Sequence, residues 1–106
     1  MKQALKKAWI EALRSRKYKQ GENYLMIEAN GKFQYCCLGV LCVVAGMKPK
    51  SVMYGIHTFD GQGGTLTEKL KKRFGLDNKA ANRLVNMNDS EGKKFYQIAR
   101  WIERNL

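Results

Sequence analysis

Nine consecutive residues, Cys37 to Ala45, are almost wholly apolar in a chain whose net charge is +11. A segment with no polar face has to be buried on every side, so the remaining elements must be arranged around it. Ending at Gly46, it reads as a short buried helix with a glycine cap, although a buried strand has the same pattern. It falls far short of the roughly 18 apolar residues that span a bilayer. The first twenty residues are amphipathic and lysine-studded, without the continuous apolar core or small-residue cleavage site of a secretory leader. With 106 residues the chain is expected to form one domain, residues 1–106, with no membrane partner.

Leu5, Ala8, Trp9, Ala12 and Leu13 recur at i, i+3, i+4, i+7 and i+8, which predicts an amphipathic helix over 3–15. Tyr24 to Glu28 and Lys32 to Cys36 are rich in β-preferring residues and flank Asn30-Gly31, the dipeptide suited to a two-residue hairpin turn. Pro49 enforces a loop, and Ser51 to Thr58 is a third candidate strand. Thr65 and Glu68 have capping-box spacing, which predicts a helix starting at Thr65, burying Leu66, Leu70 and Phe74 and stopping at Gly75. A second helix is predicted from about Lys79 to Met87, then a turn over Asn88 to Gly92. The last helix buries Phe95, Ile98, Ala99, Ile102 and Leu106. The expected fold is therefore α+β: a small three-stranded antiparallel sheet with an N-terminal helix, a short buried central helix and a C-terminal three-helix segment.

The positive charge is grouped. Residues 1–20 carry seven basic and one acidic side chain, and residues 69–83 carry six and one, whereas 21–68 is close to neutral. A field this strong favours a phosphate-bearing or polyanionic partner. The candidate phosphate contacts are Arg14, Arg16 and Lys17 in the first block and Lys72, Arg73, Lys79 and Arg83 in the second. They form one footprint if the fold brings both blocks to one side.

Four further features carry candidate chemistry. The loop Gly61, Gly63, Gly64 with Thr65 combines freed backbone amides with a predicted helix start, the ingredients of an anion site, although no Walker or dinucleotide motif can be written there. The predicted helix pair from Thr67 to Met87 has helix-turn-helix spacing. It leaves Lys79, Asn82, Arg83 and Asn86 exposed, and asparagine and arginine match adenine and guanine edges. Trp101 lies off the apolar stripe of the last helix, and so is either an interface residue or packed under the N-terminal helix. Finally, Cys36, Cys37 and Cys42 with His57 have the ligand number of a zinc site but not its spacing. A thiol nucleophile with His57 as base and Asp60 as orienting group is the hydrolase reading of the same residues, against core packing as small hydrophobes. No metal or cofactor is expected, and the odd number of cysteines fits reduced thiols in a cytoplasm.

The run Phe33-Gln34-Tyr35-Cys36-Cys37-Leu38-Gly39-Val40-Leu41-Cys42 stands between Ala12–Gly21 and a later stretch from Leu84 through Asn88-Asp89 to Phe95-Tyr96-Gln97-Ile98-Ala99. Together they resemble a family of small uncharacterised bacteriophage and prophage proteins carrying a YCCLGVLC run. Relatives often follow the third cysteine with an acidic residue, where this chain has Val43. The resemblance implies a viral accessory protein in the cytoplasm of a host bacterium, one that binds host machinery, nucleic acid or a nucleotide signal rather than catalysing a reaction. Two functions follow as expectations: a non-enzymatic binder of a phosphate-bearing ligand that interferes with a host process such as defence, and an inhibitor docking on a host protein through its basic surface and exposed aromatics. A cysteine hydrolase is the third, and oligomerisation is left open.

Overall fold

The computed structural model describes all residues, Met1–Leu106, as five helices and a four-stranded antiparallel sheet. The apolar run forms a helix, α2 (Cys37–Val44), whose first six residues are all buried. Gly46 follows with φ +84°, the left-handed position at which its lack of a β-carbon stops the helix. α1 (Gln3–Arg14) and α4 (Asn78–Asp89) pack on α2, and α5 (Phe95–Asn105) packs on α1 and α4. Trp9 of α1 is fully buried, and its indole Nε1 donates to the Cys37 carbonyl oxygen at 2.9 Å. The core also takes in Leu25, Phe59, Leu66, Leu70 and Phe74. No helix is long and apolar enough to cross a membrane.

The sheet departs from the expected three strands. Strands β1 (Met26–Ala29) and β2 (Lys32–Tyr35) form the hairpin around Asn30-Gly31, with Ala29 opposite Lys32. The predicted third strand is two: β3 (Lys50–Ser51) and β4 (Ile56–Thr58) fold back on each other, giving the order β2-β1-β4-β3. The break lies at Tyr54-Gly55, both at positive φ, where the Gly55 carbonyl oxygen accepts from Glu28 N at 2.8 Å. An uninterrupted strand cannot contain such a turn.

Helix boundaries shift as well. α3 (Glu68–Phe74) is capped by Thr67, whose hydroxyl accepts from Leu70 N at 3.2 Å, and not by Thr65. Asp60 Oδ2 accepts the Thr67 hydroxyl proton at 2.6 Å, which fixes the cap where tertiary structure supplies a partner. Gly75 ends α3 in the left-handed region, as expected. α4 runs on through Asn88 and Asp89, residues expected to form a turn.

Candidate functional site

Along α4, Ala81, Leu84 and Met87 face the core, which turns Lys79, Asn82 and Asn86 outward, with Arg83 half-buried. That outward face forms one wall of an open groove of about 610 Å³, whose other wall is α5 with Trp101, Asn105 and Leu106. Two helices packed on one core leave this furrow between them because their inward stripes meet and their flanks do not. Arg83 is braced by an ion pair with Glu91. Asp77, at one end of the groove, accepts from Ala80 N at 2.7 Å and is occupied as the α4 cap. Lys79 makes no ion pair.

The groove thus unites five residues expected from sequence to matter: Lys79, Asn82, Arg83, Asn86 and Trp101. Trp101 sits half-buried on α5 and lines this groove opposite α4. Chemically the groove offers two cations, amide groups that both donate and accept, and an indole surface.

The first basic block does not join it. Arg14 reaches across from α1 to Glu103 on the opposite flank of α5, with both terminal guanidinium nitrogens donating to the carboxylate at 3.3 Å. That pairing holds the Glu103 carboxyl below its usual pKa range. The condition for one footprint is therefore not met by these residues: α5 stands between Arg14 and the pair Lys79 and Arg83. Arg16 lies just past the end of α1 at φ 65°, and Lys17 sits over the Tyr18 ring at 5.8 Å. Arg73 borders a small cavity with Lys2, so the two blocks do touch at that corner. Lys72 lines a shallow depression that also contains Glu68 and Asp77.

The glycine loop is not an anion nest. Asp60-Gly61 is a two-residue turn closed by Phe59 and Gln62, Gly63 packs on Ile56 and its carbonyl oxygen accepts from Leu25 N at 2.7 Å, and neither Gly64 nor Thr65 borders a cavity. The helix that follows begins three residues after Thr65, and its cap Thr67 is already bound to Asp60, the residue before Gly61.

All three thiols are buried and unpaired. Burial pushes Cys36 up to about 11 and Cys42 up to about 12, and raises Cys37 as well. This is the opposite of the activation a thiolate nucleophile needs. His57 lies on β4 edge-on to Phe33, ring centroids 5.4 Å apart, and Asp60 is bound to Thr67.

One polar centre escaped the sequence reading. Asn88, 1% exposed, accepts at Oδ1 from Gln20 Nε2 (3.0 Å) and Cys37 N (3.2 Å) and donates from Nδ2 to Gly21 O (2.9 Å) and Asp89 Oδ1 (2.8 Å). Gln20 in turn accepts from Phe95 N at 3.0 Å. Every polar atom of Asn88 is used, and the result caps α2 and α5 and ties the 20–23 segment to both, which is structural work. Its signal was present: Asn88 continues the spacing Ala81, Leu84, Asn88 along a buried stripe, where a polar residue requires partners.

A family described as a domain of unknown function, DUF8296, is similar to this chain over residues 1–51, the part containing α1, the first hairpin and α2. No curated protein and no solved structure matches the chain.

Proposed function

We propose that this is a non-enzymatic phage accessory protein that binds a phosphate-bearing ligand, nucleic acid or a nucleotide signal, in the α4–α5 groove, and so interferes with a host process such as defence. The observation that carries the reading is the convergence of Lys79, Arg83, Asn82, Asn86 and Trp101 on one groove. In this arrangement Lys79 and Arg83 hold phosphate, Trp101 offers its face to a base, and the asparagines meet polar base edges. The phage setting comes from the likeness of the YCCLGVLC run.

The test has two arms. Protein purified from its host is assayed for absorbance at 260 against 280 nm and for bound nucleotides by mass spectrometry, and fluorescence anisotropy then measures affinity for mixed oligonucleotides across a salt series. Binding that falls steeply with salt, and falls again in Lys79→Glu/Arg83→Glu, is expected. Affinity that ignores salt, or survives the double reversal, sinks the reading.

A second reading has its own observation. The turn between β3 and β4 exposes Val52, Met53 and Tyr54, the last 88% exposed. An apolar tip of this kind suits docking on a host protein. Loss of a host-growth effect in Tyr54→Ser, with the effect intact in Lys79→Glu/Arg83→Glu, would select this reading instead.

A further inference from the structure

A separate cleft of about 370 Å³ lies where α1 ends and α5 begins, lined by Leu13, Arg14, Arg16, Tyr18, Phe95 and Tyr96. No acidic side chain lines it. Arg14 is committed to Glu103, whereas the Arg16 guanidinium has no hydrogen bond or ion pair within the chain. Arg16 also occupies the residue after the α1 C-cap at φ 65°, a position glycine fills more easily. Arg16 is thus an exposed cation in a strained backbone position, with its guanidinium free to meet a ligand. Two aromatic walls accompany it. The Tyr18 ring is fixed edge-on to Tyr35, centroids 5.2 Å apart, while Tyr96 is 64% exposed on the first turn of α5. The ends of α1 and α5 that meet here have opposed dipoles, so the charge of the cleft comes from its side chains.

We propose that this cleft is a second subsite taking one nucleotide of a single-stranded nucleic acid, the base stacked on Tyr96 and its phosphate held by Arg16. The subsite presupposes the phosphate-ligand function proposed for the α4–α5 groove. Aromatic faces stack on any unpaired base, and guanidinium groups bind phosphate through paired donors. A duplex keeps its bases inside and has none to offer Tyr96. The volume matches the lower end of small-ligand sites and suits a single nucleotide unit. Exposed Lys17 and Lys19 follow directly in the chain and supply charge for the adjoining phosphates of a strand.

Fluorescence anisotropy with a labelled oligothymidylate at low salt tests this. Tyr96→Ala and Arg16→Gly are each expected to weaken binding about tenfold, and Tyr96→Phe to retain it. Arg16→Gly should melt no lower than the parent, because glycine relieves the left-handed backbone, so its loss of affinity is not loss of fold. The single strand should bind more tightly than a duplex of equal length, and more tightly than thymidine monophosphate. Unchanged affinity in both variants, together with loss in Lys79→Glu/Arg83→Glu, overturns the subsite and leaves the groove standing. Equal affinity for duplex or for the mononucleotide also overturns it. No binding of any oligonucleotide by the parent removes the subsite and the nucleic-acid form of the groove reading together.

Discussion

Asn88 and Gly39 show how single residues hold this fold. Replacing Asn88 with Leu keeps the branched shape but leaves the buried Cys37 N–H and Gly21 carbonyl without a partner. At about 1–3 kcal/mol for each orphaned group, a loss of about 3 kcal/mol in urea unfolding is expected, with the slope unchanged. Gly39 lies mid-helix in α2, where alanine has the higher helix propensity by about 1 kcal/mol. A β-carbon there would overlap the Leu25 carbonyl oxygen, which is backbone and cannot swing away. The clash wins: Gly39→Ala is expected to cost about 3 kcal/mol or more, read from the same unfolding curves. The glycine inside the YCCLGVLC run is thus the contact point between α2 and the chain entering β1.

Among the elements, α3 shows most clearly where local pattern misleads. Thr65 and Glu68 satisfy capping-box spacing, yet the cap is Thr67, because Thr67 alone is also anchored by Asp60. Thr67→Ala is expected to destabilise by about 1 kcal/mol, and Thr65→Ala by less than about 0.5 kcal/mol, by thermal melting. The amphipathic helices and the Asn30-Gly31 hairpin were legible because spacing and turn chemistry are local. The folding of Ser51–Thr58 into two strands was not, since Tyr54 gives no sign of a turn and the arrangement is held by β1. α4 outran its predicted end for the same reason: Asn88 and Asp89 favour turns in isolation, but tertiary partners keep them helical.

At the scale of the whole molecule, the buried thiols give alkaline behaviour a definite sign. A thiol whose pKa rises on folding holds its proton more tightly in the native state. The stability it contributes is complete below the ordinary value of 9.0 and is lost as pH climbs through about 11 for Cys36 and about 12 for Cys42. Urea midpoints should therefore fall above pH about 9, and less steeply when Cys36 and Cys42 are replaced by Ala. A disulfide-exchange reagent at neutral pH should label none of the three thiols in the native protein and all three after unfolding, since each is buried. The same scale governs charge. Arg14 and Arg83 end on different flanks of α5, one braced by Glu103 and the other by Glu91, and each flank has its own aromatic-lined opening.

From sequence alone came the α+β class, the central apolar helix, the first hairpin, and the choice of Lys79, Asn82, Arg83 and Trp101 as candidate contacts. These follow from periodicity, turn chemistry and the outward placement of charge, all of which act over a few residues. Tertiary structure decided what those residues face. It put Trp101 opposite Lys79 and Arg83, moved Arg14 and Arg16 to the other side of α5, closed the glycine loop into a tight turn, and made Asn88 the polar centre. Each outcome depends on contacts between segments distant in the chain, such as the 68 residues separating Gln20 from Asn88, and no local pattern encodes the geometry of such a meeting.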